Sequence, residues 1–214
     1  MSLCAIIPIK PLRRGKSRLS SVLSEEEREG LNRYLLTSTL QCLRKINKID
    51  NILVVSYDPS ALALASKFKA RTVLENSHTN INRALRKATL AAKEIKSSKI
   101  LVVPADLPLI ARDDLLSVIG ESGDPPEMVI VPDRKMSGTN MLLINPIGAI
   151  KYEFGEGSFR KHIKQAGRKK VNIKICKRKN LSFDLDLPED WEFLKANMIN
   201  DDNFDNKIIQ EVKI

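Results

Sequence analysis

Aromatic residues are scarce in this chain of 214 residues: six Phe, three Tyr and one Trp, 5% of the whole. A platform that stacks the bases of a single nucleic-acid strand needs several aligned rings, so none is expected. Cysteine is scarcer, with Cys4, Cys42 and Cys176 only. An odd count without close spacing builds neither a disulfide framework nor a zinc site, and it suits the cytoplasm. No apolar run approaches the roughly 20 residues of a membrane-spanning helix. The opening MSLCAIIPIK is apolar but short, and it lacks a basic lead and a small-residue cleavage site. It reads as a first strand and not a signal peptide. Histidine occurs twice, at His78 and His162, and no GxSxG, HExxH or CxxC is present. Catalysis through a covalent intermediate or a tuned histidine therefore has no motif behind it. Repeats and low-complexity segments are also missing.

Charge is plentiful. Lys and Arg number 36 against 26 Asp and Glu, for a net +10, while 43% of the residues are hydrophobic. The balance is that of a soluble globular protein with one sizeable core. The positive charge attracts polyanions: nucleic acid, an anionic membrane, or small phosphorylated ligands. The cations are spread out, densest over 168–179, as on a solvated face.

The stretch ILVVPADLPLI (100–110) organises the chain. A continuous apolar run that stops at turn residues suits a parallel strand buried on both faces, and ligands bind beyond the carboxyl ends of such strands. Asp106 stands at that end, either capping the next helix or opening a site. Further strands are expected at 5–9, 51–56, 71–74, 128–131, 141–144 and 171–175. Helices are expected at 24–46 (Ser24 and Glu27 forming a capping box), after Asp58-Pro59, at 79–96 with Asn80 or Asn82 near its start, and at 112–119, 158–166 and from Pro188. Alternating strands and helices give an α/β fold with a mainly parallel sheet flanked by helices. The insert at 134–157 is expected to form a small antiparallel extension or lid.

Three loop features bear on function. KPLRRGKSR carries Lys10, Arg13, Arg14, Lys16 and Arg18 around Gly15 and Ser17. It is either a phosphate cradle or an exposed basic loop, and it lacks the Walker spacing. Gly155 and Gly157 precede Ser158, which makes either an anion-binding helix start or a plain N-cap. Asp184 and Asp186 alternate in SFDLDLPED, so both face one side of an extended segment. Two like charges held close call for a cation. Carboxylates at strand ends, a basic first loop and an anion site suit phosphoryl or nucleotidyl transfer, where magnesium and positioning do the work.

In order, IPIKPLRRGKSRL, PADLP, SGTNMLLI, FGEGSFRKH and DLDLPEDW resemble the 2-phospho-L-lactate guanylyltransferase family of coenzyme F-420 biosynthesis, over residues 6–191. The resemblance implies a single Rossmann-like nucleotidyltransferase domain, 1–199, with a tail at 200–214. It also implies transfer of GMP from GTP to a small phosphorylated three-carbon acid, 2-phospho-L-lactate or phosphoenolpyruvate, with release of pyrophosphate. Carried over, Lys10, Lys16, Ser17 and Arg18 would hold the GTP phosphates, with Lys16 and Asp106 catalytic. Asn82 would lie near the nucleotide, and Asp106, Asp184 and Asp186 would hold Mg2+. Thr139, Gly155 and Ser158 would bind the acceptor. Pro104 replaces the second Asp often found two residues before the first metal ligand, and Asn80 replaces a glycine before INRAL. The resemblance is compatible with a cytoplasmic homodimer and with no nucleic-acid or membrane partner. Two other readings are a nucleotidyltransferase for a sugar-acid or molybdopterin acceptor and a basic nucleic-acid-binding protein.

Overall fold

Seven strands carry the described part of the molecule, a computed structural model that describes residues 2–76 and 80–198. They are β1 (Leu3–Pro8), β2 (Asn51–Ser56), β3 (Arg71–Leu74), β4 (Lys99–Val102), β5 (Glu127–Pro132), β6 (Thr139–Asn145) and β7 (Asn172–Ile175). They form one sheet in the order β3-β2-β1-β4-β6-β5-β7. Every pairing is parallel except those of β6, which runs against both neighbours. The insert expected as an extension or lid thus supplies an interior strand, the one reversed member of the sheet.

Helices cover both faces. On one side α1 (Glu25–Arg44), α2 (Pro59–Lys67) and α4 (Arg112–Gly120) bury Leu36, Leu40, Ala61, Leu115 and Val118 against Ile7, Val54, Leu101 and Val129. On the other, α3 (Ile81–Glu94) and α5 (Ser158–Arg168) bury Leu85, Ala88, Phe159 and Ala166 against Ile6, Val55, Val102 and Ile130. Burial on both faces is why these strands read as unbroken apolar runs. A third cluster joins Leu19 and Leu23 after the first loop to Leu31 and Leu35 of α1. It also takes in Phe183, Leu185 and Trp191 near α7 (Pro188–Met198). It packs the first loop and α1 against the segment that leads into α7.

The helix starts follow local chemistry. Ser24 and Glu27 form the reciprocal capping box, with the Glu27 N–H donating to Ser24 Oγ at 3.2 Å. Asp58 accepts from the Ser60 N–H at 2.8 Å, and Asn80 accepts from the Arg83 N–H at 3.0 Å. The start expected at Thr79 lies outside the described residues, as does the tail. The one-turn α6 (Lys179–Ser182) is too short and too basic to leave a periodic signal. Of the dense cations of 168–179, Arg168 ends α5, Lys174 lies on β7, Lys179 opens α6 and the others sit in the exposed connections around them; among the described residues β7 pairs only with β5, and a lysine on such an edge discourages edge-to-edge association. Among the described residues no helix is long and apolar enough to cross a membrane.

His162 locks α5 onto the sheet. It is fully buried. Its Nε2 accepts the Glu153 backbone N–H at 3.0 Å, so that nitrogen carries no proton. The neutral ring then holds its hydrogen on Nδ1 and donates to Thr139 Oγ1 at 3.1 Å. Burial pushes its pKa down to about 4. An unfolded histidine titrates near 6.5, so acidification from about pH 6.5 to 4 protonates the unfolded state first and stability falls. Denaturant melts of wild type and His162→Asn across that window should show the wild type losing up to about 3 kcal/mol relative to the variant as pH falls. Parallel pH dependences in the two proteins would refute the buried neutral ring.

Candidate active site

A cleft of about 440 Å³ opens at the carboxyl ends of β1, β2 and β4 and the start of β6, where an open α/β sheet binds its ligands. Of the eleven residues singled out from sequence, Lys10, Lys16, Asp106, Thr139, Gly155, Ser158, Asp184 and Asp186 line it. Ser17 and Arg18 sit exposed on the 3-10 turn Ser17–Leu19 at its rim, with Arg18 reaching Asp186 at 3.9 Å.

Lys16 is the hub. Its side chain is only 8% exposed, and its Nζ lies 2.9 Å from Asp186 and 3.7 Å from Asp106. The residue adopts φ 56°, the left-handed region, at a cost of roughly 1–2 kcal/mol for a side chain with a Cβ. The surroundings hold it there. Asn32 of α1 donates to the Leu12 carbonyl at 2.7 Å, and it packs so close to Gly15 that a Cβ there would meet Asn32 Nδ2 at 2.6 Å. Only glycine lets the basic loop lie this near the helix.

The carboxylates are fixed from behind. The Leu185 N–H donates to the Asp106 carbonyl at 3.0 Å, joining the segment before α7 to the end of the central strand. Asp190 accepts the backbone N–H groups of Asp186 and Leu187 and pairs with Arg134, whose guanidinium lies over the Phe183 ring. Leu185 is fully buried, while Asp184 and Asp186 on either side face the cleft, as the alternation predicts. Burial and the neighbouring Asp106 and Asp186 charges raise the Asp184 pKa. Burial also acts to raise that of Asp186, but the Lys16 ammonium, with Arg18 and Lys10, holds it below the ordinary value. Among the described residues no three His, Cys, Asp or Glu side chains are gathered closely enough to hold a metal ion unaided.

The other wall joins a glycine turn to two hydroxyl side chains. Gly155 has φ 120°, open to glycine alone, and turns the chain into α5. Exposed amides were expected at that helix start, but two are committed. The Ser158 N–H donates to Gly155 O and the Phe159 N–H to Ser137 O, both at 3.0 Å. Ser158 and Thr139 also face the cleft, and the Thr139 oxygen accepts from His162, so that its own hydroxyl hydrogen is available there. Asn82 does not line the cleft. Its amide clamps the Phe154 backbone in both directions, at 2.8 and 3.0 Å. It positions the glycine loop, whose Phe154 and Gly155 line the cleft.

Sequence reasoning missed Asn140, which donates to the Leu181 carbonyl at 3.0 Å and reaches Asp184 at 3.4 Å. It also missed Asn32 and His162. Asn140 and His162 sit inside the SGTN and FGEGSFRKH stretches, so the motifs contained the signal.

The chain resembles known proteins along almost its whole length. A family model described as guanylyl transferase CofC like matches residues 3–213. A phosphoenolpyruvate guanylyltransferase of Rubrobacter xylanophilus is 40% identical over 92% of this chain and 95% of its own. A 2-phospho-L-lactate guanylyltransferase of Methanobrevibacter smithii is 35% identical over 86% and 80%. Among solved structures, a nucleotidyl transferase from Methanothermobacter thermautotrophicus superposes with a TM-score of 0.67 at 12% identity, covering 93% of this chain and 98% of its own. A 4-diphosphocytidyl-2C-methyl-D-erythritol synthase from Anaerococcus prevotii gives 0.64, also at 12% identity, over 92% and 96%. The two structures agree in fold, and the sequence match, with its motifs gathered around one cleft, makes this chain a member of the CofC-like guanylyl transferase family.

Proposed function

We propose that the protein transfers a guanylyl group from GTP to the phosphate of 2-phospho-L-lactate or phosphoenolpyruvate, releasing pyrophosphate, as a step of coenzyme F-420 biosynthesis. The observation that carries this is Lys16, an ammonium pinned between Asp106 and Asp186 on the floor of a cleft with a basic loop on one side and an anion wall on the other. The names of the relatives supply the nucleotide and the acceptor. A phosphate oxygen of the acceptor attacks the α-phosphorus of GTP, the bond to the β-phosphate oxygen breaks, and pyrophosphate leaves. The attacking group is already an anion, so no general base is needed. The task is alignment and charge neutralisation.

Lys16 and Lys10 face the triphosphate in this reading, with Ser17 and Arg18 at the entrance. Ser158 and the Thr139 hydroxyl hold the acceptor's anionic groups. The carboxylates fit magnesium. Asp106 and Asp186 crowd Asp184 with like charge, and Mg2+ is characteristically held by one or two carboxylates completed by substrate phosphates and water, so a closed protein cage is not required. When bound, the ion would neutralise charge on the phosphates. Residence in the cytoplasm goes with a GTP substrate.

Pyrophosphate release, assayed with GTP, ATP and CTP against 2-phospholactate, phosphoenolpyruvate and 3-phosphoglycerate in magnesium, should occur with GTP and a single preferred acceptor. Release with another nucleotide in preference to GTP would reject the reading. Asp106→Asn should lower turnover by roughly 10²–10³-fold with an unchanged melting curve; wild-type turnover in the variant would remove Asp106 from the chemistry. Ser158→Ala should raise the KM for the acceptor roughly tenfold and leave that for GTP unchanged. Equal effects on both would take Ser158 out of the acceptor site.

A further inference from the structure

Arg134 leaves the turn between β5 and β6 and reaches the segment that carries Asp184 and Asp186. Its guanidinium meets that segment at both ends. It lies 4.6 Å from the centre of the Phe183 ring, just before Asp184, and it pairs with Asp190, just beyond Asp186. Phe183 and Asp190 are buried. Arg134 itself is half exposed and does not line the cleft. The turn is a firm base for it: Asp133 accepts the Ser137 N–H at 2.8 Å and donates its own N–H to the Gly138 carbonyl at 3.3 Å.

Asp190 passes this hold on to Asp186. One of its oxygens accepts the Asp186 N–H at 3.1 Å and the Leu187 N–H at 2.8 Å. Those N–H groups belong to the peptide planes on either side of the Asp186 Cα. Holding both planes restrains the two soft dihedrals of that residue, and with them the direction in which its side chain leaves the backbone. The other oxygen takes Arg134, so the carboxylate is kept from turning away. A half-exposed ion pair adds little stability. What Arg134 adds is direction, since a planar guanidinium stacks on a ring while its edge meets a carboxylate, and an ammonium does not.

Asp186 needs that control. Its side chain is 41% exposed, and it shares Lys16 with Asp106, at 2.9 and 3.7 Å. A swing of Asp186 away from the ammonium would let Lys16 shift towards Asp106. We propose that Arg134 is a positioning residue for the transfer: through Asp190 it sets Asp186, and so Lys16, where the phosphates are to be aligned. This rests on the guanylyl-transfer reading and adds to it a residue outside the cleft.

Steady-state pyrophosphate release by wild type, Arg134→Ala, Asp190→Asn and the double variant, with GTP and the preferred acceptor, tests the assignment. Arg134→Ala removes the side chain and leaves the hydrogen bonds of the turn. It should lower kcat roughly 10- to 100-fold and leave the KM of each substrate within about threefold of wild type. Asp190→Asn keeps an oxygen for the two N–H groups but sets an NH2 against Arg134, and kcat should fall by a similar factor. Residues that act through one another are not additive, so the double variant should be no slower than the slower single one. Wild-type kcat in folded Arg134→Ala makes the arginine a staple for α7 and overturns the assignment. So does a fall in kcat accompanied by a matching rise in both KM values, which is the mark of a generally loosened cleft. Losses that multiply in the double variant overturn the route through Asp190. Each of these outcomes leaves guanylyl transfer standing, whereas no release by the wild type with GTP and any acceptor overturns both. If Arg134→Ala does not fold, Arg134→Met, which keeps an apolar cover on Phe183 without the ion pair, takes its place with the same fall in kcat expected.

Discussion

Asp106, Asp184 and Asp186 meet in one cleft, and without a cation among them the segment carrying Asp184 and Asp186 would be driven from the strand end carrying Asp106. Lys16 supplies that cation from a loop 170 residues away in sequence from Asp186. Much of the surrounding structure keeps it in place: a glycine that lets α1 approach, an asparagine that ties down the loop, and a cluster that packs the first loop against Trp191. Its left-handed backbone is a local cost accepted at a point where position matters more than strain. The same ammonium that neutralises the site at rest is the group that the proposed reaction sets against phosphate.

The cleft divides into chemically different halves. The β1–β2–β3 side sets the basic loop, Tyr57 and Glu75 among Ile9 and Val55, and the β4–β6 side sets Asp106 beside the Thr139 hydroxyl, which a buried partner orients. His162 shows how the second half is made specific. Its ring does no chemistry at the phosphates, yet by accepting one backbone N–H it fixes its own tautomer, and by donating to Thr139 it fixes the direction of that hydroxyl. A buried imidazole used in this way makes a threonine into a dedicated donor.

Much of this was legible in the chain. Unbroken apolar runs marked the doubly covered strands, and Ser24, Asp58 and Asn80 marked their helices because capping is local chemistry. Asp106, Asp184 and Asp186 were legible because they sit at strand ends or alternate along an extended segment. The reversed direction of β6 was only half legible, since the insert signalled antiparallel pairing without its position in the sheet. The clamp made by Asn82 was not legible, because position along a helix start does not reveal what a side-chain amide meets 72 residues away. Asn32 was invisible for the same reason: its role depends on a loop approaching it from 20 residues earlier. Glu75, at the end of a short edge strand, carries no periodic mark.

The reversed strand has a consequence for assembly. β5 and β6 are joined by a short turn, whereas β6 must find β4 across some 40 residues of chain. Closing the shorter loop costs less entropy, so the hairpin is favoured to form before it docks. The part built on β1 to β4 and the part built on β5 to α5 are thus separable in time, and the cleft exists only once β6 completes the sheet. Both walls of the cleft then come together in a single docking event, and a chain arrested before it would hold neither wall against the other.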